Sequence, residues 1–235
     1  MKSRLELENA LYLVPVPIGN REDISLRALK VLASVDVIAC EDTRNTGRLL
    51  RMYSIQPPKL LSVHEHNEER RAEEITALLQ EGKSVALVSD AGTPAVSDPG
   101  FRIVRAVSEA GLNIVPLPGP NAALTALIAS GLPTDRFSFL GFPPHKKGRA
   151  AFVNNLLAHE DTCVVYEAPH RIVLLLQEMQ AAGAGARRVC LSRELTKKFE
   201  EHIRATVDDL LAIIEARGEV KGEVVLVVGG AAGGD

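Results

Sequence analysis

The sequence contains no tryptophan, and aromatic residues make up only 4% of its 235 residues. A core must therefore be built from leucine, valine, isoleucine and alanine, and the 46% hydrophobic content suffices for one large domain or two small ones. No apolar run approaches the roughly 20 residues of a membrane-spanning helix. The opening segment MKSRLELENA lacks the apolar stretch of a signal peptide. We expect a soluble cytoplasmic protein with no membrane partner.

Cysteine is also scarce. Cys40, Cys163 and Cys190 are far apart in the chain, are odd in number and form no C-x-x-C motif. This pattern excludes a disulfide scaffold and gives no zinc-ribbon spacing. Each cysteine lies in or beside an apolar run, so we expect three buried, reduced thiols, as in a reducing compartment.

Short β-rich runs alternate with helical patterns, which predicts an α/β protein whose first half has mainly parallel strands. Asn67 is expected to open one helix. Asp98 and Pro99 are expected to start another that buries Phe101, Val104 and Val107. The proline-rich segment PLPGPNAA interrupts the alternation and suggests a boundary between domains 1–117 and 118–235. The tail GGAAGGD is expected to be flexible. The predicted strands are 11–16, 35–40, 58–63, 84–89, 113–117, 137–142, 162–167, 187–195 and 223–228.

The segments that follow the first five strands have unusual compositions. They read PVPIGN, EDTRNT, HEHNEE, SDAGTPAVSDPG and PLPGPNAA, rich in glycine, proline, small polar residues or charge. Ligands of parallel α/β sheets bind beyond the carboxyl ends of the strands. Neither a dinucleotide-binding G-x-G-x-x-G, a Walker loop nor a nucleophile elbow is present. Such loops suit a zwitterionic ligand such as S-adenosylmethionine without singling it out.

Eight ordered segments resemble one known family. They are VPVPIGN (14–20), ACEDTRNTGRLL (39–50), HEHNE (64–68), VSDAGTPAVSDPG (88–100), PLPGPNAALTAL (116–127), YEAPHRI (166–172), SRELTKKFEE (192–201) and KGEVVLVV (221–228). In these segments the chain is similar to the ribosomal RNA small subunit methyltransferase I family of the tetrapyrrole methylase superfamily. The resemblance runs from about Leu11 to Val228.

This resemblance implies two α/β domains of the tetrapyrrole methylase type with S-adenosylmethionine in the cleft between them. It implies a homodimer that methylates the ribose 2′-hydroxyl of a cytidine in the decoding region of 16S rRNA, within the small ribosomal subunit. Matching the superfamily's cofactor loops residue by residue implies contacts from Pro17, Gly19, Asp90, Gly92, Thr93, Pro94, Val96, Pro118, Gly119, Asn121 and Ala122. In the second domain it implies contacts from Tyr166, Glu167, Arg193, Glu194, Leu195, Gly222 and Glu223.

One matched position departs from the wider superfamily. Thr93 stands where most members have aspartate in a G-D-P turn. The ribosomal RNA branch shares this departure, which favours that branch over a tetrapyrrole substrate.

A ribose hydroxyl is a weak nucleophile that gains from a general base. Glu41, Asp42 and His64 are the first candidates, because they follow predicted strands and Glu41–Asp42 precede a basic stretch. His66, Glu167 and Glu194 remain open as further candidates.

The formal net charge of −3 excludes a uniformly basic surface, so RNA binding must rest on local patches. We expect phosphate contacts from Arg44 and Arg48, and above all from the PPHKKGR loop with Lys146, Lys147 and Arg149.

Three other functions remain open from the sequence. A tetrapyrrole methyltransferase would share the fold. A metal-dependent hydrolase could use His64 and His66, whose spacing on an extended segment points both rings the same way. No third ligand is evident, and we expect no metal. The remaining alternative, from another class, is a non-catalytic RNA-binding assembly factor.

Overall fold

The computed structural model describes residues 7–56 and 58–231. The first residues of the opening segment and the last four of the glycine-rich tail lie outside this range, so the tail prediction concerns residues that are mostly not described. The chain divides into two compact units, of which the first ends at Asn121 and the second begins at Ala122.

The first unit is a five-stranded sheet flanked by helices. Its strands are parallel in the order β3-β2-β4-β1-β5, which confirms the predicted α/β class with parallel pairing. The strands are β1 (Leu11–Leu13), β2 (Val37–Cys40), β3 (Lys59–Ser62), β4 (Val85–Val88) and β5 (Ile114–Pro116). The helices are α1 (Leu26–Leu32), α2 (Thr43–Met52), α3 (Glu68–Gln80) and α4 (Phe101–Glu109).

This sheet is covered on both faces, as its uninterrupted apolar strands require. Strands β2 and β4 are buried along their whole length. One face packs against a cluster that includes Val31 and Leu50, and the other against Ile75, Leu79 and Val107. Because all five strands are parallel, their carboxyl ends lie at the same end of the sheet, which we call the strand-end edge.

The start of α4 differs from the prediction. Asp98 does not cap this helix, which begins at Phe101 after Gly100 at φ +138°. The Glu68 carboxylate takes the capping role by accepting hydrogen bonds from the Gly100 and Arg102 amides at 2.8 and 2.9 Å. Phe101 is 66% exposed, and Ile103 with Val107 forms the buried stripe. The expectation that Phe101 is buried was therefore wrong, whereas Val107 is buried as predicted and Val104 is half-buried.

Asn67 precedes α3 without capping it. Its side-chain oxygen accepts from the His64 amide at 2.9 Å, and its amide donates to the Ser62 carbonyl at 3.2 Å. The side chain therefore closes the loop behind β3.

The second unit is a mixed sheet in the order β6-β7-β10-β8-β9. Its β6 and β7 are parallel, and the other neighbouring pairs are antiparallel. The strands are β6 (Phe137–Gly141), β7 (Thr162–Glu167), β8 (Arg188–Arg193), β9 (Glu201–Thr206) and β10 (Val224–Val228). The helices are α5 (Ala122–Ala129), α6 (Arg149–Ala158), α7 (Ile172–Ala181) and α8 (Val207–Arg217).

Strand β9 was not predicted from the sequence. It lies at the sheet edge, where Ile203 and Ala205 pack against the core. The residues between and beside them are charged or polar, so the strand lacks the apolar run that predicts the neighbouring strands.

Two further findings concern the cysteines and the length of the helices. Cys40, Cys163 and Cys190 are free and buried, as predicted. Among the helices of residues 7–56 and 58–231, none is long and apolar enough to cross a bilayer.

Candidate active site at the strand ends

The proline and glycine loops of the first unit join each other directly at the strand-end edge. Val16 and Gly92, which follow β1 and β4, exchange two backbone hydrogen bonds of 2.9 and 3.0 Å. Gly92 has φ +77°, a conformation that favours glycine, and a Cβ there would lie 3.3 Å from Ile18 Cγ2. A Cβ on Gly119 would lie only 2.7 Å from Pro15 Cβ. Glycine is therefore favoured at position 92 by its backbone conformation and at position 119 by the close approach of the Pro15 ring.

Thr93 connects two of these loops through its hydroxyl. The hydroxyl donates to the Pro120 carbonyl at 2.9 Å, and the Asn121 side-chain amide lies 3.4 Å from the same hydroxyl oxygen. An ionised aspartate has no proton to donate to a carbonyl. The contact therefore gives a physical reason for threonine at this position. The neighbouring candidates Pro94 and Val96 are buried and half-buried, and Pro118 is exposed.

Glu41, Asp42 and Asp90 meet at the ends of the adjacent strands β2 and β4. The Asp90 carboxylate accepts from the Asp42 amide at 3.2 Å and from the Asn45 side chain at 2.8 Å. Asp42 caps α2 and receives two hydrogen bonds from the Arg44 guanidinium, which lower its pKa to about 2. Burial and the nearby charges of Asp90, Glu65 and Asp42 raise the pKa of Glu41. The pKa values of the adjacent carboxyl groups of Glu41 and Asp42 are thus shifted in opposite directions.

Asp98 is a residue of this edge that the sequence indicated only as a helix cap. Burial, followed by the negative charge of Glu41, raises its pKa to about 6, although a hydrogen bond with Ser89 opposes the shift. The signal that could have identified it is its position in the same loop as Asp90, after a buried strand. Ala95 and Ser97 in this loop have positive φ values of 65° and 59°, so the segment is held in an uncommon conformation.

His64 and His66 follow β3 and are both exposed. Their rings stand edge to face with centroids 6.0 Å apart, and His64 Nε2 lies 2.9 Å from the Asn67 side-chain amide. Within residues 7–56 and 58–231, no group of three or more His, Cys, Asp or Glu side chains is arranged to hold a metal ion.

Helix α2 carries the basic residues of this edge. Arg44, Arg48 and Arg51 are exposed, and their spacing of four and three residues places them on one helical face. Arg44 is also paired with Asp42.

In the second unit, the predicted cofactor residues likewise meet at one end of the sheet. Val224, the first residue of β10, pairs with Glu167 at the end of β7 and with Arg193 at the end of β8. Gly222 and Glu223 therefore lie beside Glu194 and Leu195. The Glu194 carboxylate accepts from Lys197 and from the Glu223 amide, and these hydrogen bonds lower its pKa. A lowered pKa makes Glu194 a weak candidate for a base.

Tyr166 and Glu167 have structural roles that the sequence did not indicate. The Tyr166 hydroxyl accepts from the Ala123 amide at 3.1 Å, at the start of α5, and its ring contacts Phe139 and Phe142. Glu167 is buried and pairs with Arg149 at 3.2 Å and Arg171 at 3.9 Å. Its carboxylate is engaged in these ion pairs, which makes Glu167 a weak candidate for a general base, and its cofactor contact stays a prediction.

Arg149 also differs from the prediction. It was expected to contact RNA phosphates, but it is only 5% exposed. Its Nε donates to Glu178 at 2.7 Å and its Nη1 to Glu167. Lys146 and Lys147 in the same loop are exposed. The basic surface of this loop therefore consists of the two lysines.

The chain matches the family model of tetrapyrrole (corrin/porphyrin) methylases over residues 10–211. It is 49% identical to a ribosomal RNA small subunit methyltransferase I of Escherichia coli O157:H7, with 98% of this chain and 82% of that protein aligned. It is 48% identical to the protein of the same name from Bacillus subtilis, with 94% of this chain and 75% of the relative aligned.

Solved structures show the same fold at low sequence identity. A uroporphyrin-III-C-methyltransferase from Thermus thermophilus superposes with a TM-score of 0.65 at 24% identity, over 96% of both chains. A diphthine synthase superposes with a TM-score of 0.68 at 13% identity, over 94% of this chain and 90% of the other. The high identity to the curated relatives over nearly the whole chain decides the branch. The chain belongs to the ribosomal RNA small subunit methyltransferase I family of the tetrapyrrole methylases.

Proposed function

We propose that this chain transfers a methyl group from S-adenosylmethionine to the ribose 2′-hydroxyl of a cytidine in the decoding region of 16S rRNA. The observation that carries the proposal is the strand-end edge of the first unit. There, closely packed glycine–proline loops adjoin half-buried carboxylates of raised pKa. The relatives that are almost half identical to the chain are named for methylation of small-subunit ribosomal RNA.

The loops of the first unit fit the cofactor. A Cβ on Gly119 would clash with Pro15, and the positive φ of Gly92 favours glycine, so neither position presents a side chain to the cofactor. Main-chain amides and carbonyls are suited to a zwitterion and an adenine ring. We assign the cofactor to Pro17, Gly19, Asp90, Gly92, Thr93, Pro94, Val96, Pro118, Gly119, Asn121 and Ala122. From the strand ends of the second unit, the resemblance adds Tyr166, Glu167, Arg193, Glu194, Leu195, Gly222 and Glu223.

When bound, the sulfonium supplies a methyl group that is already activated. The chain's own residues must then align the ribose hydroxyl and accept its proton. Asp98 suits the second task, because a carboxyl with a pKa of about 6 is largely ionised at neutral pH and is more basic than an ordinary aspartate. The pKa of Glu41 is also raised. Asp42, with its pKa of about 2, is a much weaker base.

The RNA would be held by exposed basic groups. Arg44 and Arg48 lie on α2 at the strand-end edge, and Lys146 with Lys147 projects from the loop before α6. Such contacts bind the phosphate backbone irrespective of sequence and make affinity depend on salt.

The test is transfer of labelled methyl groups from S-adenosylmethionine to assembled small subunits, free 16S rRNA or a tetrapyrrole. We expect label in the RNA as a 2′-O-methyl group, which makes the adjoining phosphodiester resistant to alkali. Label on a base or on a tetrapyrrole would contradict the proposal. Cofactor binding without any transfer would favour an assembly factor. Asp98→Asn is the informative variant, and Glu69→Gln is the matched control, because Glu69 is exposed and lies outside the site.

We also propose that the enzyme acts as a homodimer in the cytoplasm. Sedimentation of the purified chain tests the oligomeric state, and a monomer at micromolar concentration that retains activity would contradict it.

A further inference from the structure

The loop that carries Lys146 and Lys147 is anchored at its base by two arginines. Arg171 donates through Nη2 to the Pro144 and His145 carbonyls at 3.2 and 3.4 Å. Arg149 donates through Nη1 to the same Pro144 carbonyl at 3.3 Å. Arg171 also donates to the ring nitrogen Nδ1 of His145. Hydrogen bonds from the two arginines thus hold the loop's main chain, while its two lysines remain exposed.

Both arginines pair with the same buried carboxylate. Glu167 lies between them, with one oxygen 3.2 Å from Arg149 and the other 3.9 Å from Arg171. Glu178 adds a second partner for Arg149 at 2.7 Å. The side chains of Arg149, Glu167 and Arg171 are 6, 2 and 11% exposed. Because buried charges are stable only when paired, each arginine has little freedom to leave its carboxylate.

We propose that Arg171 is a positioning residue for RNA binding, which together with Arg149 and Glu167 holds the basic loop so that Lys146 and Lys147 face RNA phosphates. The inference rests on the proposed function, because it requires an RNA substrate. A free loop would lose conformational entropy when it is ordered on the RNA, whereas an anchored loop is already ordered. Arg171 then affects RNA affinity through the lysines and not by touching RNA.

The main variant is Arg171→Lys, which keeps the charge but removes the planar fork that reaches two carbonyls. The experiment measures RNA affinity at several salt concentrations for the full chain, with S-adenosylmethionine affinity and melting temperature measured alongside. We expect RNA affinity to fall about tenfold at unchanged cofactor affinity. The logarithmic salt slope should decrease by about 0.7 to 0.9 for each lysine that no longer reaches a phosphate. Arg217→Lys is the matched control, since Arg217 is an exposed arginine of the same unit paired with Glu201.

A double-mutant cycle separates positioning from a general structural role. If Arg171 acts through the loop, Arg171→Lys has no further effect on RNA affinity in a chain that already carries Lys146→Ala and Lys147→Ala. Equal losses in both backgrounds would overturn the inference. If the lysine double variant itself binds RNA normally, the RNA surface of the proposed function is wrong, which is a different outcome.

Two further measurements cover the case in which Arg171→Lys is too unstable to study. His145→Gly loosens the loop from an exposed position and removes the ring contact, so it should reproduce the loss of RNA affinity with an intact core. Limited trypsin digestion should cut after Lys146 or Lys147 faster in either variant than in the parent chain. Normal RNA affinity and unchanged cleavage in His145→Gly would overturn the proposal.

Discussion

Replacing Gly119 with alanine tests the close packing of the cofactor loops. The new Cβ would lie 2.7 Å from Pro15 Cβ. Carbon atoms in favourable contact are about 3.5 to 4.0 Å apart, so the two loops must separate by about 1 Å. Pro15 is a rigid ring and cannot rotate away, so the displacement falls on the main chain.

The size of the effect follows from this displacement. Adding a methyl group to a well-packed region typically costs about 1 to 3 kcal/mol. If the strain is relieved by separating the loops that hold the cofactor, S-adenosylmethionine affinity should fall by the same free energy. At about 1.4 kcal/mol per tenfold, this corresponds to a loss of about 5- to 150-fold.

Calorimetric titration of S-adenosylmethionine measures the loss, and a thermal melt records stability. Pro15→Gly removes the clashing ring and should restore part of the affinity in the double variant. Gly111→Ala is the control. It has a positive φ of 67° but open space around it, so it should lower stability without lowering affinity. Wild-type affinity in Gly119→Ala, or no rescue by Pro15→Gly, would refute the reasoning.

Three more predictions concern the start of α4, the titration of Asp98 and the need for a metal. Glu68→Ala removes the acceptor of two backbone amides at the start of α4 and should lower the free energy of unfolding by about 1 to 3 kcal/mol. Glu69→Ala, an exposed neighbour, should change it by less than about 0.5 kcal/mol, and urea titration of both variants compares them. The folded-state pKa of Asp98 is raised from 3.8 to about 6, so the fold favours the protonated form, and the contribution of Asp98 to stability decreases as pH rises through this window. Asp98→Asn should therefore be more stable than the parent at pH 7, with a gain that shrinks towards pH 4. An equal difference in stability between variant and parent at pH 7 and at pH 4 would contradict the raised pKa of Asp98. If Asp98 is the base, the same variant loses the acid limb of the kcat/KM profile near pH 6. Finally, treating the purified chain with EDTA and then removing the EDTA before the assay should leave methyl transfer unchanged, and loss of activity that zinc restores would overturn the expectation that no metal is required.

The sheet of the first unit was predictable because its strands are short apolar runs separated by amphipathic helices. Val85–Val88 is a continuous apolar run that suits a buried strand in a parallel sheet. The same periodicity placed the strand-end loops, and with them Gly92, Thr93 and Gly119, at one edge. In such a fold, the local sequence predicts where each strand and its following loop lie along the chain. The parallel topology then brings these loops together at one end of the sheet.

Two of the errors, at Asp98 and at Arg149, arose where a distant residue decided the local structure. Asp98-Pro99 has the local chemistry of a helix start, but the amides at the start of α4 are capped by Glu68, which lies 32 residues before Gly100. Asp98 is left half-buried near Glu41, and its raised pKa follows from that. Arg149 looks like its basic neighbours in sequence, yet Glu167 and Glu178 from other elements hold it in the interior. Such partners cannot be deduced from a single sequence without knowing the packing.

The carboxylates of the strand-end edge show how one small region can hold acids of different strength. The pKa of Asp42 falls to about 2 beside a guanidinium, whereas Asp98 is removed from water near a second acid and its pKa rises to about 6. Groups whose pKa values are driven apart by their surroundings are suited to different tasks. Asp42 is suited to a permanent negative charge that caps α2 and orients Arg44, and Asp98 to exchanging a proton near neutral pH. Because the charge of Glu41 helps to raise the pKa of Asp98, Glu41→Gln should lower that pKa and make Asp98 a weaker base.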